Sequence, residues 1–190
     1  MRVQIIPVQE VPFLEVALKN APPRDAAMVG LLLYCGLRCH EVCDLVWRDI
    51  FFGGEISTAV HVKTSHEPVD HPRLVDVPDM LRPLLQKHRA AVMKADPSVS
   101  LQDAVFKSSK RNAQLKNRDL ERICDKVTLH ALGKSYTPRT LRHTCATRWM
   151  GFGSIRTVQA LLGHRSLQST QIYTHPSSDD CRLMVNLGAK

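Results

Sequence analysis

Aromatic residues are scarce: two Trp, three Tyr and five Phe make up 5% of the 190 residues, and none forms a run interleaved with basic side chains. A stacking platform for RNA or single-stranded DNA needs such a surface, so that reading ranks low. Long hydrophobic runs are also missing, and no stretch approaches the roughly 20 apolar residues of a membrane-spanning helix. The N-terminus MRVQIIPVQE lacks a charged segment followed by an apolar stretch and a small-residue cleavage site. Neither export nor anchoring is expected, and the expected location is cytoplasmic. The six cysteines, Cys35, Cys39, Cys43, Cys124, Cys145 and Cys181, show no regular framework and read as reduced thiols within apolar segments. Cys35, Cys39 and Cys43 beside His40 do not make a zinc site, because Gly36 interrupts the first spacing and no second ligand pair follows.

Acids are the other shortage. Eighteen Asp and Glu face 26 Lys and Arg, giving a formal charge of +8 and a pI near 9.4. The summed field attracts polyanions, of which nucleic acid is the commonest. Repeats, low-complexity segments and obvious linkers are absent, and the length suits one good-sized core, so a single domain over 1–190 is expected.

Apolar residues recur at helical spacing from Val11 to Tyr34, broken by Ala21-Pro22-Pro23 into two helices, and Gly36 supplies a stop. A short helix begins beyond it with Leu37, Glu41, Val42 and Leu45, placing Arg38 in its first turn. The alternation Ile56, Thr58, Val60, Val62, followed by a strand-like Leu74 to Val77, predicts a β-hairpin with Lys63 where its long loop, Thr64 to Pro72, departs. Asp79 is a candidate N-cap for a helix to about Ala95. A polar loop then carries Lys107, Lys110, Arg111, Lys116 and Arg118, the densest basic stretch. Asn117 is expected to cap a helix ended by Gly133, Thr137-Pro138 to open another over Arg139 to Met150, and Ser154 to cap a third stopped by Gly163. Ser166 can start one more, carrying Tyr173. The fold class is mainly α with a small antiparallel β-sheet.

Three segments carry the chemistry: YCGLRCHEVCDL, TPRTLRHTCATRWM and VQALLGHRSLQSTQIYTH. They present Gly36-Leu37-Arg38, then Lys63 on the hairpin, Arg139-Thr140-Leu141-Arg142-His143, Leu162-Gly163-His164, and Tyr173 nine residues after that histidine. In this order and separation the chain resembles the tyrosine recombinase (phage integrase) family over nearly its whole length. The resemblance implies the family's catalytic-domain fold. It also implies site-specific DNA recombination through a 3′-phosphotyrosyl link, with a free 5′-hydroxyl and no metal, nucleotide or other cofactor.

Arg38 and Arg142 suit a phosphate clamp, because a guanidinium fork matches two non-bridging oxygens. Tyr173, a phenol with an ordinary pKa near 10, needs such positive surroundings to attack phosphorus. By resemblance Lys63 protonates the leaving oxygen. His164 donates to a phosphate oxygen, and Glu41 orients the arginines from behind. The departure is Arg139, where the family usually has a histidine that accepts the tyrosine proton. Arg139 is then a further phosphate donor, or His143 one turn on takes part of the role, or activity is impaired. An impaired, DNA-binding relic or accessory protein is the alternative function; a type IB topoisomerase or telomere resolvase would use similar residues.

Double-stranded DNA is the expected partner, the basic loop a DNA-backbone contact, and self-association on DNA follows from the need to hold two cut duplexes. The family's N-terminal DNA-binding domain is not expected within these 190 residues, which then read as an excised fragment or a truncated form. The tail from about residue 176, with Leu183, Val185 and Leu187, either docks on a neighbouring protomer or packs on its own domain.

Overall fold

Proline and glycine punctuate the first helices as expected. In a computed structural model, which describes residues 4–63, 73–108, 113–163 and 185–186, α1 spans Val11–Asn20 and α2 spans Pro23–Tyr34. Between them Ala21 is extended (φ −73°, ψ 160°), and Pro23 opens α2, where a missing N–H costs nothing. The sequence of α2 is apolar on every side, which suits a helix surrounded by others. Every residue from Asp25 to Tyr34 is buried. Around it pack α4 (Arg82–Ala95), α5 (Asn117–Leu132) and α6 (Pro138–Met150). Met28, Leu31 and Leu32 are fully buried there, each worth about 1.5–3 kcal/mol relative to exposure.

Side-chain caps set two of the helices. The Thr137 hydroxyl accepts from the Thr140 N–H at 3.2 Å to start α6, and the Ser154 hydroxyl accepts from Thr157 at 3.2 Å to start α7 (Ile155–Leu162). Gly133 and Gly163 end α5 and α7 in the left-handed region, at φ 66° and 62°. Two expected caps are displaced. Asp79 caps nothing: α4 begins at Arg82 after Leu81, with no side-chain cap, because Pro83 marks its first turn instead. Asn117 is the first residue of α5, and Lys116 is its N-cap, again without a side-chain bond.

The sheet is also divided differently. The expected long strand beginning at Ile56 breaks at Ser57-Thr58, because Ile56 pairs backward across the tight turn of Gly53 and Gly54, at φ 60° and 91°, whereas Ala59 to Val62 pair forward. Phe51–Phe52 (β1) therefore pairs with Glu55–Ile56 (β2) as one small ladder. The expected hairpin survives as a second ladder, Ala59–Val62 (β3) with Arg73–Asp76 (β4), antiparallel with Val62 opposite Arg73. Among the described residues the fold is mainly helical with two short antiparallel ladders.

A small aromatic stack places His88 of α4 between Trp47 and Phe106, at ring centroid distances of 5.6 and 5.0 Å. The His88 Nε2–H donates to the Val105 carbonyl at 2.8 Å. Cys35, Cys43, Cys124 and Cys145 are buried free thiols, as read from the sequence, whereas Cys39 is half-buried. Cys181 lies outside the described residues. From the tail, Val185 is fully buried in the chain's own core. Among the described residues no helix is long and apolar enough to cross a membrane.

Candidate active site

Gly36 turns the chain out of α2 at φ 57°, and a side chain there would press on Leu162 and Cys145. The turn delivers Arg38 to the start of α3 (Cys39–Asp44) as an extended N-cap rather than a first-turn residue. Its backbone N–H donates to Glu41 Oε2 at 2.6 Å, and its Nη1 donates to Glu41 Oε1 at 2.9 Å. The Glu41 side chain is wholly buried. It is no ordinary surface carboxylate.

Arg142 arrives from the second turn of α6, more than a hundred residues later. Its Nη1 donates to the Gly36 carbonyl at 2.5 Å and its Nη2 to the Leu162 carbonyl at 2.8 Å, with Glu41 Oε2 3.7 Å from Nη1. Arg38 Nη2 reaches the Gly163 carbonyl at 2.6 Å. A third arginine, Arg73 at the start of β4, donates from Nη1 to the Leu161 carbonyl at 2.5 Å and from Nη2 to Glu41 Oε2 at 2.7 Å. The carbonyls of Leu161, Leu162 and Gly163 are thus each taken by a different arginine. A helix C-terminus leaves its final carbonyls unpaired and carries partial negative charge, so guanidinium donors satisfy both needs at once.

Three guanidinium groups surround one carboxylate, leaving two positive charges in excess in a largely buried cluster. Burial pushes the Arg142 pKa down to about 10; Glu41 opposes the shift, and Arg38 and Arg73 add to it. Arg73 is lowered in the same way, by burial first, with Glu41 opposing and Arg38 adding. Such a cluster is short of negative charge, and a phosphodiester supplies one.

Arg139 and His143 share a face of α6, and Arg139 Nε donates to His143 Nε2 at 3.2 Å. Arginine has no lone pair to offer, so His143 Nε2 is the acceptor and the ring is neutral in this pairing. Burial lowers the His143 pKa, with Arg139 and Arg142 adding to it. Lys63 is exposed at the end of β3, and its ammonium pairs with buried Asp49 Oδ2 at 3.3 Å. In the basic stretch, Lys116 and Arg118 are exposed, while Lys107 faces Asp103 at 3.8 Å. The Lys107 carbonyl accepts from Arg24 Nη1 at 3.2 Å, pinning the root of that loop to α2. His164, Tyr173, Lys110 and Arg111, and the expected helix from Ser166, lie outside the described residues. Among the described residues, no group of three His, Cys, Asp or Glu side chains is placed to hold a metal ion.

Sequence reasoning missed Arg73. The signal was the two-residue period of β4, which puts Arg73 on the same face as the buried Val75 and Val77. An arginine on an inward strand face demands a buried partner.

The fold and cluster define a mainly helical domain in which three arginines gather about one buried carboxylate. Comparison with known proteins gives the class its particular form. A tyrosine recombinase of Pseudothermotoga lettingae is 32% identical over 173 residues, covering 90% of this chain and 55% of that protein. The crystal structure of XerA recombinase is 28% identical with a TM-score of 0.72, covering 95% of this chain and 63% of that one. The lambda integrase catalytic core, 19% identical, shares the fold at a TM-score of 0.57, with 86% of this chain and 96% of that one covered. The phage integrase family profile matches residues 5–179, and the chain belongs to that family. It spans about half the length of the curated relatives it matches.

Proposed function

We propose that the chain is the catalytic domain of a site-specific DNA recombinase that cuts and rejoins duplex DNA through a 3′-phosphotyrosyl intermediate on Tyr173. The observation that carries this reading is the cluster in which Glu41 and the end of α7 hold Arg38 and Arg142 together. A scissile phosphate seated there meets two forked donors, which stabilise the charge that grows on its non-bridging oxygens. The Tyr173 oxygen bonds to phosphorus as the P–O5′ bond breaks, and O5′ takes a proton from Lys63. His164 donates to the same phosphate. Exchange of one phosphodiester for another conserves the bond energy, so the reaction needs no nucleotide, and the arginine clamp takes the charge-stabilising role that a metal would otherwise fill. Lys107, Lys110, Arg111, Lys116 and Arg118 contact the DNA backbone, and protomers associate on DNA to hold two cut duplexes. The working location is the cytoplasm.

Arg139 favours the role of additional phosphate donor: it is exposed on α6 one turn before Arg142 and keeps its charge. His143, neutral beside it, becomes a proton acceptor once Arg139 turns from its Nε2 to the phosphate. The second reading, a DNA-binding relic, rests on Arg139 alone. The test offers the chain a pool of nicked suicide duplexes with random cores and looks for a covalent adduct. An adduct lost in Tyr173→Phe establishes the recombinase chemistry; binding without any adduct establishes the relic. Arg139→His retains or raises adduct yield if arginine is merely tolerated, and a large loss shows that arginine has been recruited.

A further inference from the structure

Arg73 fits none of the roles a phosphate clamp needs filled. Its side chain is only 7% exposed, the least of the three arginines. Its two terminal nitrogens are committed to Glu41 and to the Leu161 carbonyl. The rest of the side chain lies flat on Gly163: a Cβ added there would come within 3.2 Å of Arg73 Cδ and 3.3 Å of its Nε. What Arg73 does have is a position in the hairpin. It opens β4 directly opposite Val62, and Lys63 is the next residue after Val62. One side chain therefore fastens the lysine end of the hairpin to the carboxylate that holds Arg38 and to the last turn of α7.

We propose that Arg73 is a positioning residue that sets Lys63 against the arginine clamp. Resting on the recombinase reading, the inference goes beyond it in assigning a task to a residue outside the reacting set. Lys63 spends its resting state paired with Asp49, and the ammonium must leave that carboxylate to protonate the departing 5′-oxygen. With the strand beneath it fixed by Arg73, only the lysine side chain has to swing. Without Arg73 the whole hairpin end is released, and a misplacement near 1 Å is enough to cost about 100-fold in rate.

The chemistry supplies a readout that a purely structural role would not move. When sulfur replaces the bridging 5′-oxygen, the leaving thiolate needs no proton, so a defect confined to proton delivery disappears. Single-turnover cleavage is measured on a nicked duplex recovered in the covalent capture and on the same duplex with 5′-bridging sulfur. Arg73→Met, which keeps an unbranched stem against Gly163, is expected to slow cleavage of the oxygen duplex about 100-fold. Most of the rate should return on the sulfur duplex, as in Lys63→Ala, and duplex affinity should be unchanged. Arg73→Lys keeps the charge but cannot span both acceptors, so it behaves like the methionine variant. The ratio of the two rates does not depend on the folded fraction, so a poorly folding variant still reports. Equal losses on both duplexes, or no loss on either, overturn the role of Arg73. A wild-type chain that leaves the sulfur duplex uncut overturns the recombinase reading instead.

Discussion

Replacing Glu41 by glutamine tests the cluster most directly. The carboxylate accepts from the Arg38 N–H, Arg38 Nη1 and Arg73 Nη2 at 2.6, 2.9 and 2.7 Å, with no exposure to water. At an effective dielectric of 20, each charge pair near 2.8 Å is attracted by about 6 kcal/mol before desolvation. Glutamine keeps the shape but removes the charge and turns one acceptor into a donor aimed at guanidinium groups. Three positive charges then share a site with no negative one. Breaking a buried ion pair by removing one partner costs about 3–5 kcal/mol. For a domain of this size that lowers Tm by roughly 6–20 °C. Thermal unfolding at neutral pH gives the shift. Sulfate should recover part of it, because an anion bound at the cluster stabilises only the folded state. A Tm within about 2 °C of wild type would refute the claim that one carboxylate neutralises and organises three arginines.

Further outcomes follow from neighbouring features. Arg142→Lys keeps the charge but cannot bridge the Gly36 and Leu162 carbonyls; covalent adduct should form at least about 100-fold more slowly, read by quenched-flow gel assay. Gly163→Ala must hold a left-handed φ of 62° and displace Arg73, so denaturant unfolding should show a loss of about 1–3 kcal/mol. His88 is held neutral by burial, with a pKa below the ordinary value of 6.5. The unfolded chain therefore binds the extra proton, and the His88 contribution to stability is complete above about pH 6.5 and falls as pH drops below it. Urea midpoints at pH 7.5 and 5.0 should differ less in His88→Gln than in wild type.

The helix frame was legible because its signals are local. Gly36, Gly133 and Gly163 end helices in left-handed conformations, and Thr137 and Ser154 begin them with a hydroxyl three residues from the N–H they cap. Arg38, Glu41 and Arg142 were legible as members of separated motifs, and the structure brings all three together. The rest depends on distance in sequence. Nothing near Arg73 announces Glu41 thirty-two residues earlier or the Leu161 carbonyl eighty-eight residues later. The partner of Lys63, Asp49, was hidden for the same reason. The Phe51–Ile56 ladder was missed because the alternation over Ile56 to Val62 continues across Ser57-Thr58, where the pairing partner changes from β1 to β4. Backbone carbonyls carry no side-chain signature, so three arginines could not be assigned to the end of α7 from residue types.

The seating of Arg73 on Gly163 also has an evolutionary consequence. A methyl group at position 163 presses on the arginine stem, an arginine pushed aside takes one donor from Glu41 Oε2, and a changed Glu41 leaves the arginines repelling one another. Single steps away from this arrangement all pass through a damaged intermediate. Positions 41, 73 and 163 should therefore drift together or stay fixed, and grafting any one of them from a relative that lacks the other two should cost more than grafting all three.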